Sequence, residues 1–151
     1  MGLLAAMGSG IVGACALTAI HEAARQAIPN APRMDVLGKR AIAHTLSWAG
    51  AEPASDKLLH EMALTGDILS NSAYYSLVAL GGPRGAVACG AALGLAAGVG
   101  AVALPGQVGL GSAPSARTNE TKAMTIAWYL AGGLAAGLAY SLMTKRPRRT
   151  R

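Results

Sequence analysis

Charge is scarce in this sequence, and the uncharged residues occur in long runs. Only 13% of the 151 residues are charged, against roughly 25% in a typical soluble domain. Four stretches contain no Asp, Glu, Lys or Arg: residues 1–20, 68–83, 85–116 and 123–144. A helix rises about 1.5 Å per residue, so roughly 20 mostly apolar residues cross a hydrocarbon core of about 30 Å. Each stretch reaches or approaches that length, which predicts an integral membrane protein.

Phenylalanine is absent, and only two cysteines occur. In an up-and-down bundle Cys15 and Cys89 differ in depth by roughly 10 Å, whereas a disulfide needs Cα atoms within about 7 Å, so we expect no bridge between them. The sequence also lacks a phosphate-binding G-x-x-x-x-G-K-[ST] loop, a G-x-S-x-G elbow and a CxxC pair. These absences indicate no particular reaction, and we expect no cofactor.

The apolar runs predict one all-α membrane domain over residues 1–151. Pro29 and Pro32 end the first helix, Ser55 caps the second, and Pro105 ends the third. The first stretch has no basic residue before its apolar run and no clear cleavage site, which favours a retained helix over a signal peptide. We therefore predict four transmembrane helices, over residues 3–28, 56–80, 85–104 and 119–144.

Residues 34–49, MDVLGKRAIAHTLSWA, are less apolar than the predicted spans. Their apolar side chains recur at helical spacing, Trp48 stands near the end of the segment, and Gly50 follows as a stop signal. This pattern predicts an amphipathic helix in the headgroup region. A connector helix in water is the alternative.

The formal charge is +6, and five of the 13 basic residues belong to the tail at 145–151. The membrane explains this charge without nucleic acid, because basic residues flank spans and bind anionic headgroups. With both termini cytoplasmic, six basic residues lie inside and seven outside, so the count does not decide the orientation. The dense tail directly after a span favours cytoplasmic termini.

Small residues repeat at four-residue spacing on the third and fourth predicted helices. Such residues let backbones approach closely, which helices in lipid need because apolar burial hardly drives their association. The helices are also marginally hydrophobic, so we expect a homo-oligomer or a larger membrane-protein partner. The predicted packing residues are Gly90, Gly94, Gly98, Gly133 and Gly137.

The second helix is the most polar, and its polar residues fall within an arc of about 100°. Asp67 lies near the middle of the span, where a carboxylate costs about 2.5 to 3.5 kcal/mol on insertion scales. Such a group faces the bundle interior or a water-filled cavity, and either serves a proton relay or makes a structural hydrogen bond. The predicted intramembrane polar face consists of His60, Asp67, Ser70, Asn71 and Tyr74.

A second polar group is expected at the loop face, where the first helix ends and the second begins. Glu22 and Arg25 are spaced to form an ion pair. The predicted interfacial cluster consists of Thr18, His21, Glu22, Arg25, His44 and Glu61. Imidazoles and carboxylates also suit zinc or iron, so a metal site at His21, Glu22, His60 and Glu61 is an alternative, although neither HExxH nor Glu-x-x-His occurs.

Three strings resemble those of small uncharacterised bacterial membrane proteins: HEAAR at 21–25, APRMDVLG at 31–38 and GDILSNSAYYS at 66–76. The resemblance covers most of the chain and implies a multi-pass protein of the bacterial inner membrane. It brings no established activity.

Three functional hypotheses follow. The first is a non-enzymatic accessory or assembly subunit that packs through its glycine faces. The second is a small transporter or proton-coupled permeation unit that uses Asp67. The third is a membrane-embedded enzyme or metal site at the loop face.

Overall fold

The computed structural model describes residues 2–145, and this part of the chain is helical, without strands. A 3₁₀ turn over Ser76–Gly81 joins the third helix to the fourth. Residues 146–151 of the predicted basic tail lie outside the described residues. The helices are α1 (Gly2–Ala27), α2 (Met34–Trp48), α3 (Asp56–Tyr75), α4 (Gly82–Gln107), the single turn α5 (Ala113–Ala116) and α6 (Asn119–Thr144). The all-α prediction is confirmed for the described residues.

Three segments are long and apolar enough to cross a membrane: Gly2–Ala27, Asp56–Gln107 and Asn119–Thr144. They indicate a membrane protein, as predicted. The second segment contains both α3 and α4, so a count of four separate spans is not confirmed. The reason is that α3, the 3₁₀ turn and α4 follow one another without a break, so the helical segment is continuous from Asp56 to Gln107.

The long helices run alternately up and down. Gly8 of α1 faces Met143 near the end of α6, while the ring of His21 lies 5.4 Å from that of Trp128 near the start of α6. Thr18 of α1 likewise bonds to Asp67 of α3. Helix α6 packs against both α1 and α4, and α3 packs on α1. The connections that contain α2 and α5 therefore lie at one end of the bundle, called here the α2 end.

The predicted packing glycines lie where α4 meets α6. A Cβ atom at Gly90 would overlap the carbonyl oxygen of Gly133, and one at Gly94 would lie 2.6 Å from the carbonyl oxygen of Tyr129. A Cβ atom at Gly98 would be equally crowded, at 2.7 Å from a Cα atom of α6. The two backbones approach so closely that neither helix has room for a side chain at the contact.

Two helix ends differ from the predictions. Helix α3 ends at Tyr75 rather than at residue 80, because the chain tightens into the 3₁₀ turn and Gly82, at φ 62°, redirects it. Helix α4 does not end at Pro105 but continues to Gln107. Proline removes one hydrogen bond, to the carbonyl four residues earlier, and this loss is tolerated when only two more helical residues follow.

We predict that Gly90→Ala lowers the free energy of unfolding by about 1 to 3 kcal/mol, because the added methyl group overfills a backbone contact. The measurement is unfolding of the purified protein in detergent, followed by tryptophan fluorescence. Gly100→Ala is the matched control on the same helix, since a Cβ atom there would meet a leucine methyl at 3.6 Å, an ordinary contact. Equal stability of the two variants would contradict the prediction.

Candidate functional site

A cavity of about 380 Å³ lies between α1, α2 and α3, toward the α2 end of the bundle. Its volume is at the lower end of the range of small-molecule sites, roughly 300–1,000 Å³. The polar residues that line it are Thr18, His21, Glu22, Asp35, His60, Asp67 and Ser70. Its apolar walls include Met34, Leu37, Ala41, Ile42, Ala63 and Leu64.

Asp67 is the most deeply placed carboxylate of the cavity, at the middle of α3. Its Oδ2 accepts a hydrogen bond of 3.2 Å from Thr18 Oγ1, and its Oδ1 accepts one of 2.9 Å from Asn71 Nδ2. Asn71 is buried and also donates to the carbonyl oxygen of Asp67 at 3.0 Å. None of the ion pairs found within residues 2–145 involves Asp67. The carboxylate is oriented by neutral donors but has no positive partner there.

His21 is buried, with 5% of its surface exposed, and it lines the same cavity. Neither ring nitrogen has a hydrogen-bond partner among the described residues. The ring is held edge-on by aromatic neighbours, with centroids 5.4 Å from Trp128 and 5.7 Å from Tyr129. Buried polar atoms are nearly always satisfied, so an orphaned imidazole beside a cavity indicates a group that a ligand or water would complete.

The other two acidic residues of the cavity are neutralised. Arg25 donates to Glu22 Oε2 through Nε at 2.9 Å and through Nη2 at 2.6 Å. Arg33 binds both oxygens of Asp35, at 2.9 and 2.8 Å. The Arg33 guanidinium holds the pKa of the Asp35 carboxyl below its ordinary value. Both arginines lie outside the lining of the cavity, so they neutralise its rim without entering it.

Helix α2 closes one side of the cavity and is anchored at several points. The Arg33 amide donates to the carbonyl oxygen of Pro114 at 2.8 Å, and the Arg40 guanidinium donates to the carbonyl oxygen of Leu110 at 2.9 Å. Lys39 bonds to Asp56 at 2.7 Å. The second half of α2 is exposed, and Trp48 is 91% exposed. The first half of the helix therefore packs on the bundle, while the second half projects from it.

The structure brings together residues from both predicted polar groups. The predicted site residues that line the cavity are Thr18, His21, Glu22, His60, Asp67 and Ser70. Asn71 lies behind them through its bond to Asp67. Tyr74 lies elsewhere, since its hydroxyl donates to the Leu93 carbonyl of α4 at 3.0 Å. His44 and Glu61 are exposed, and neither lines the cavity.

Sequence reasoning missed Asp35 and Tyr75. For Asp35, the signal that it belongs to the cavity is its place in the first turn of α2, directly after the proline-rich break. Tyr75 is fully buried and donates to the Tyr129 carbonyl of α6 at 2.7 Å. Tyr75 directly follows Tyr74 in the sequence, but adjacent residues of a helix face different neighbours, so the two tyrosines have different partners.

The predicted metal alternative receives no support from this geometry. Within residues 2–145 no group of three or more His, Cys, Asp or Glu side chains is placed to hold a metal ion. His21, Glu22 and His60 line the cavity, but Glu61 is exposed and lies outside the lining, and Glu22 is bound to Arg25.

No family model, curated protein or solved structure matches the chain. Any assignment of function therefore depends on the geometry of the cavity.

We predict that Asp35→Asn destabilises the protein at neutral pH by on the order of 1 kcal/mol, since Arg33 is half exposed and the pair is partly screened. The folded-state pKa of Asp35 lies below its ordinary value of 3.8, so the ion pair stabilises the fold above that pH and is lost as pH falls through the folded pKa. Unfolding of both proteins at about pH 7 and about pH 2.5 measures the difference, which shrinks at low pH.

Asp56→Asn is the control for this prediction. It also breaks an ion pair of α2, with Lys39, but the Asp56 side chain is 82% exposed, and exposed pairs contribute little. If the free energies of unfolding of wild type and Asp35→Asn differ by the same amount at both pH values, the ion pair is not the cause of the difference.

Proposed function

We propose that this protein is a small transporter or proton-coupled permeation unit of a membrane, with Asp67 as its central group. The observation that carries the proposal is the cavity between two facing helices. It is lined by the carboxylate of Asp67, which has no ion pair among residues 2–145, and by the buried imidazole of His21, which has no hydrogen-bond partner among them. Intramembrane carboxylates are costly and usually mark ion or substrate pathways. In this reading α1, α3, α4 and α6 are four spans, and α2 lies at the interface.

The proposal extends to location and orientation. The resemblance noted for HEAAR and two further strings supports a bacterial inner membrane. The basic tail supports cytoplasmic termini, which would open the cavity to the opposite side. Access from the α2 end agrees with the burial pattern, because Tyr75 at the end of α3 and Val78 in the 3₁₀ turn that follows are both fully buried. Passage through the bundle requires these two side chains to move, as alternating access does around a fixed site.

The groups that face Asp67 set the conditions for proton exchange. From α1 these are His21 and Glu22, from α2 Asp35, and from α3 His60. Since Glu22 and Asp35 are held by arginines, the two histidines are the neighbours left to pass a proton between Asp67 and the α2 end. An imidazole ring can accept a proton on one nitrogen and donate one from the other, which suits that role.

The first hypothesis, an accessory or assembly subunit, stays a prediction, as does a homo-oligomer or larger partner. The glycine faces that suggested docking surfaces lie between α4 and α6 of the same chain, so they are already covered. The cavity has no such internal partner, and for this reason we place transport ahead of assembly.

We predict that Asp67→Asn abolishes proton flux into proteoliposomes, because the amide keeps the shape of the side chain but cannot release a proton. Flux is measured with a pH-sensitive dye inside the vesicles after a potassium diffusion potential is imposed. Glu61→Gln is the matched control, since Glu61 is on the same helix, is exposed and lies outside the cavity. We expect this variant to conduct like wild type.

Unchanged flux in Asp67→Asn would refute the proposal, and so would the absence of flux in wild-type vesicles that contain folded protein. Loss of flux in both variants would show that the effect is not specific to Asp67 and would count against its central role. Elution of each variant as a single species from a sizing column in detergent shows that it is folded.

A further inference from the structure

The lining of the cavity is acidic, and among residues 2–145 no lysine or arginine contributes to it. Glu22, Asp35 and Asp67 contribute carboxylates. The first two are compensated by Arg25 and Arg33, which lie outside the lining. The negative charge that remains is concentrated at Asp67, which is half-buried and has no positive partner among the described residues. Such a site attracts a cation and repels an anion.

His21 supplies a second, independent indication of a ligand. The residue is three positions after Thr18 on α1, so both lie on one face of that helix, and Thr18 bonds Asp67 directly. Both nitrogens of the buried imidazole are unpartnered within the described part of the chain. A ligand that carries several N–H donors would satisfy the free lone pairs of Asp67 and the acceptor nitrogen of His21 together.

The apolar walls of the cavity indicate what kind of body the ligand has besides its charged head. Leu37, Ile42, Ala63 and Leu64 present hydrocarbon. Within residues 2–145 no group of three or more His, Cys, Asp or Glu side chains is placed to replace the hydration shell of an inorganic ion. A compact metal ion would leave these walls without contacts, whereas an organic body would cover them. The volume of about 380 Å³ limits that body to a small molecule.

We infer that the cavity between α1, α2 and α3 binds a small amphipathic organic cation, a primary ammonium whose charged head lies between Asp67 and His21 and whose apolar body lies against α2 and α3. The inference depends on the proposed function in treating this cavity as the working site. It adds the substrate class.

The test compares three probes of nearly equal size: 2-phenylethylammonium, 2-phenylethanol and 3-phenylpropionate. Each is titrated calorimetrically into the full-length protein in detergent, with empty micelles as the blank. We expect the ammonium to bind at least about tenfold more tightly than the alcohol, and the carboxylate not to bind. Asp67→Asn should weaken ammonium binding by at least about tenfold, and Glu61→Gln should leave it unchanged.

A second pair of variants keeps the test valid if Asp67→Asn does not fold. Gly66 lines the cavity, and a Cβ atom there would meet no neighbour within 4 Å. Gly66→Leu therefore fills the cavity while retaining Asp67, and we expect it to abolish ammonium binding. Gly85→Leu is its control, since a Cβ atom at Gly85 also meets nothing, and this residue of α4 lies outside the cavity.

Equal binding of the ammonium and the alcohol, or full binding by Gly66→Leu, would overturn the inference. The flux assay separates this outcome from failure of the proposed function. Ammonium binding that depends on Asp67, in vesicles without proton flux, would uphold the binding site and refute transport. Proton flux that depends on Asp67, without ammonium binding, would uphold the proposed function and refute the substrate class.

Discussion

The architecture depends on close contact between helix backbones at glycine. In lipid the hydrocarbon around a helix is as apolar as another helix, so association depends on van der Waals contact rather than on burial from water. A Cβ atom at Gly10 of α1 would overlap the Ser72 carbonyl of α3, and one at Gly13 would lie 2.8 Å from the Gly132 carbonyl of α6. Together with the contact between Gly90 and Gly133, these approaches join α3, α1, α6 and α4 in that order.

The same contacts explain why a cavity forms at the α2 end. Gly10 and Gly13 bring α1 close to its neighbours in its first half, where Tyr75 and Val78 fill the core completely. Farther along, α1 presents Thr18 and His21 where α3 has Gly66, whose missing side chain leaves space. Helix α2 then covers this space with its first half. The bundle is thus tightly packed at one end and open between its polar residues at the other.

Much of this fold could be predicted from the sequence, for reasons that particular residues make clear. Helix α6 occupies the predicted residues 119–144, because Thr118 caps its start and charged residues flank its uncharged run on both sides. The end of α3 could not be found in the same way, because the tightening into a 3₁₀ turn depends on the packing of Tyr75 and Val78 between other helices. Local propensity does not contain that information.

The candidate site was partly predictable for a similar reason. Periodicity places Asp67 and Ser70 on one face of a helix and Thr18 with His21 on one face of another, but it does not state that the two faces meet. Tyr74 shares the arc of Asp67, yet its longer side chain reaches Leu93 on α4. Asp35 entered the cavity only because α2 folds back over the bundle, which depends on bonds between Arg33 and Pro114 and between Arg40 and Leu110.

Asp67 lowers stability by more than its hydrogen bonds restore, and the proposed function gives it a reason to be there. In the proposed arrangement of four spans, a carboxylate in the middle of α3 costs about 2.5 to 3.5 kcal/mol on insertion scales, and a typical hydrogen bond returns only about 0.5 to 1.5 kcal/mol. Thr18 and Asn71 therefore offset part of that cost, and in the described structure no cation offsets the rest. An apolar residue would pack there without this penalty, and the chain already uses such residues throughout α4. The retained cost, together with the unpartnered His21 beside it, is the physical argument that this region binds something which the helices themselves do not supply.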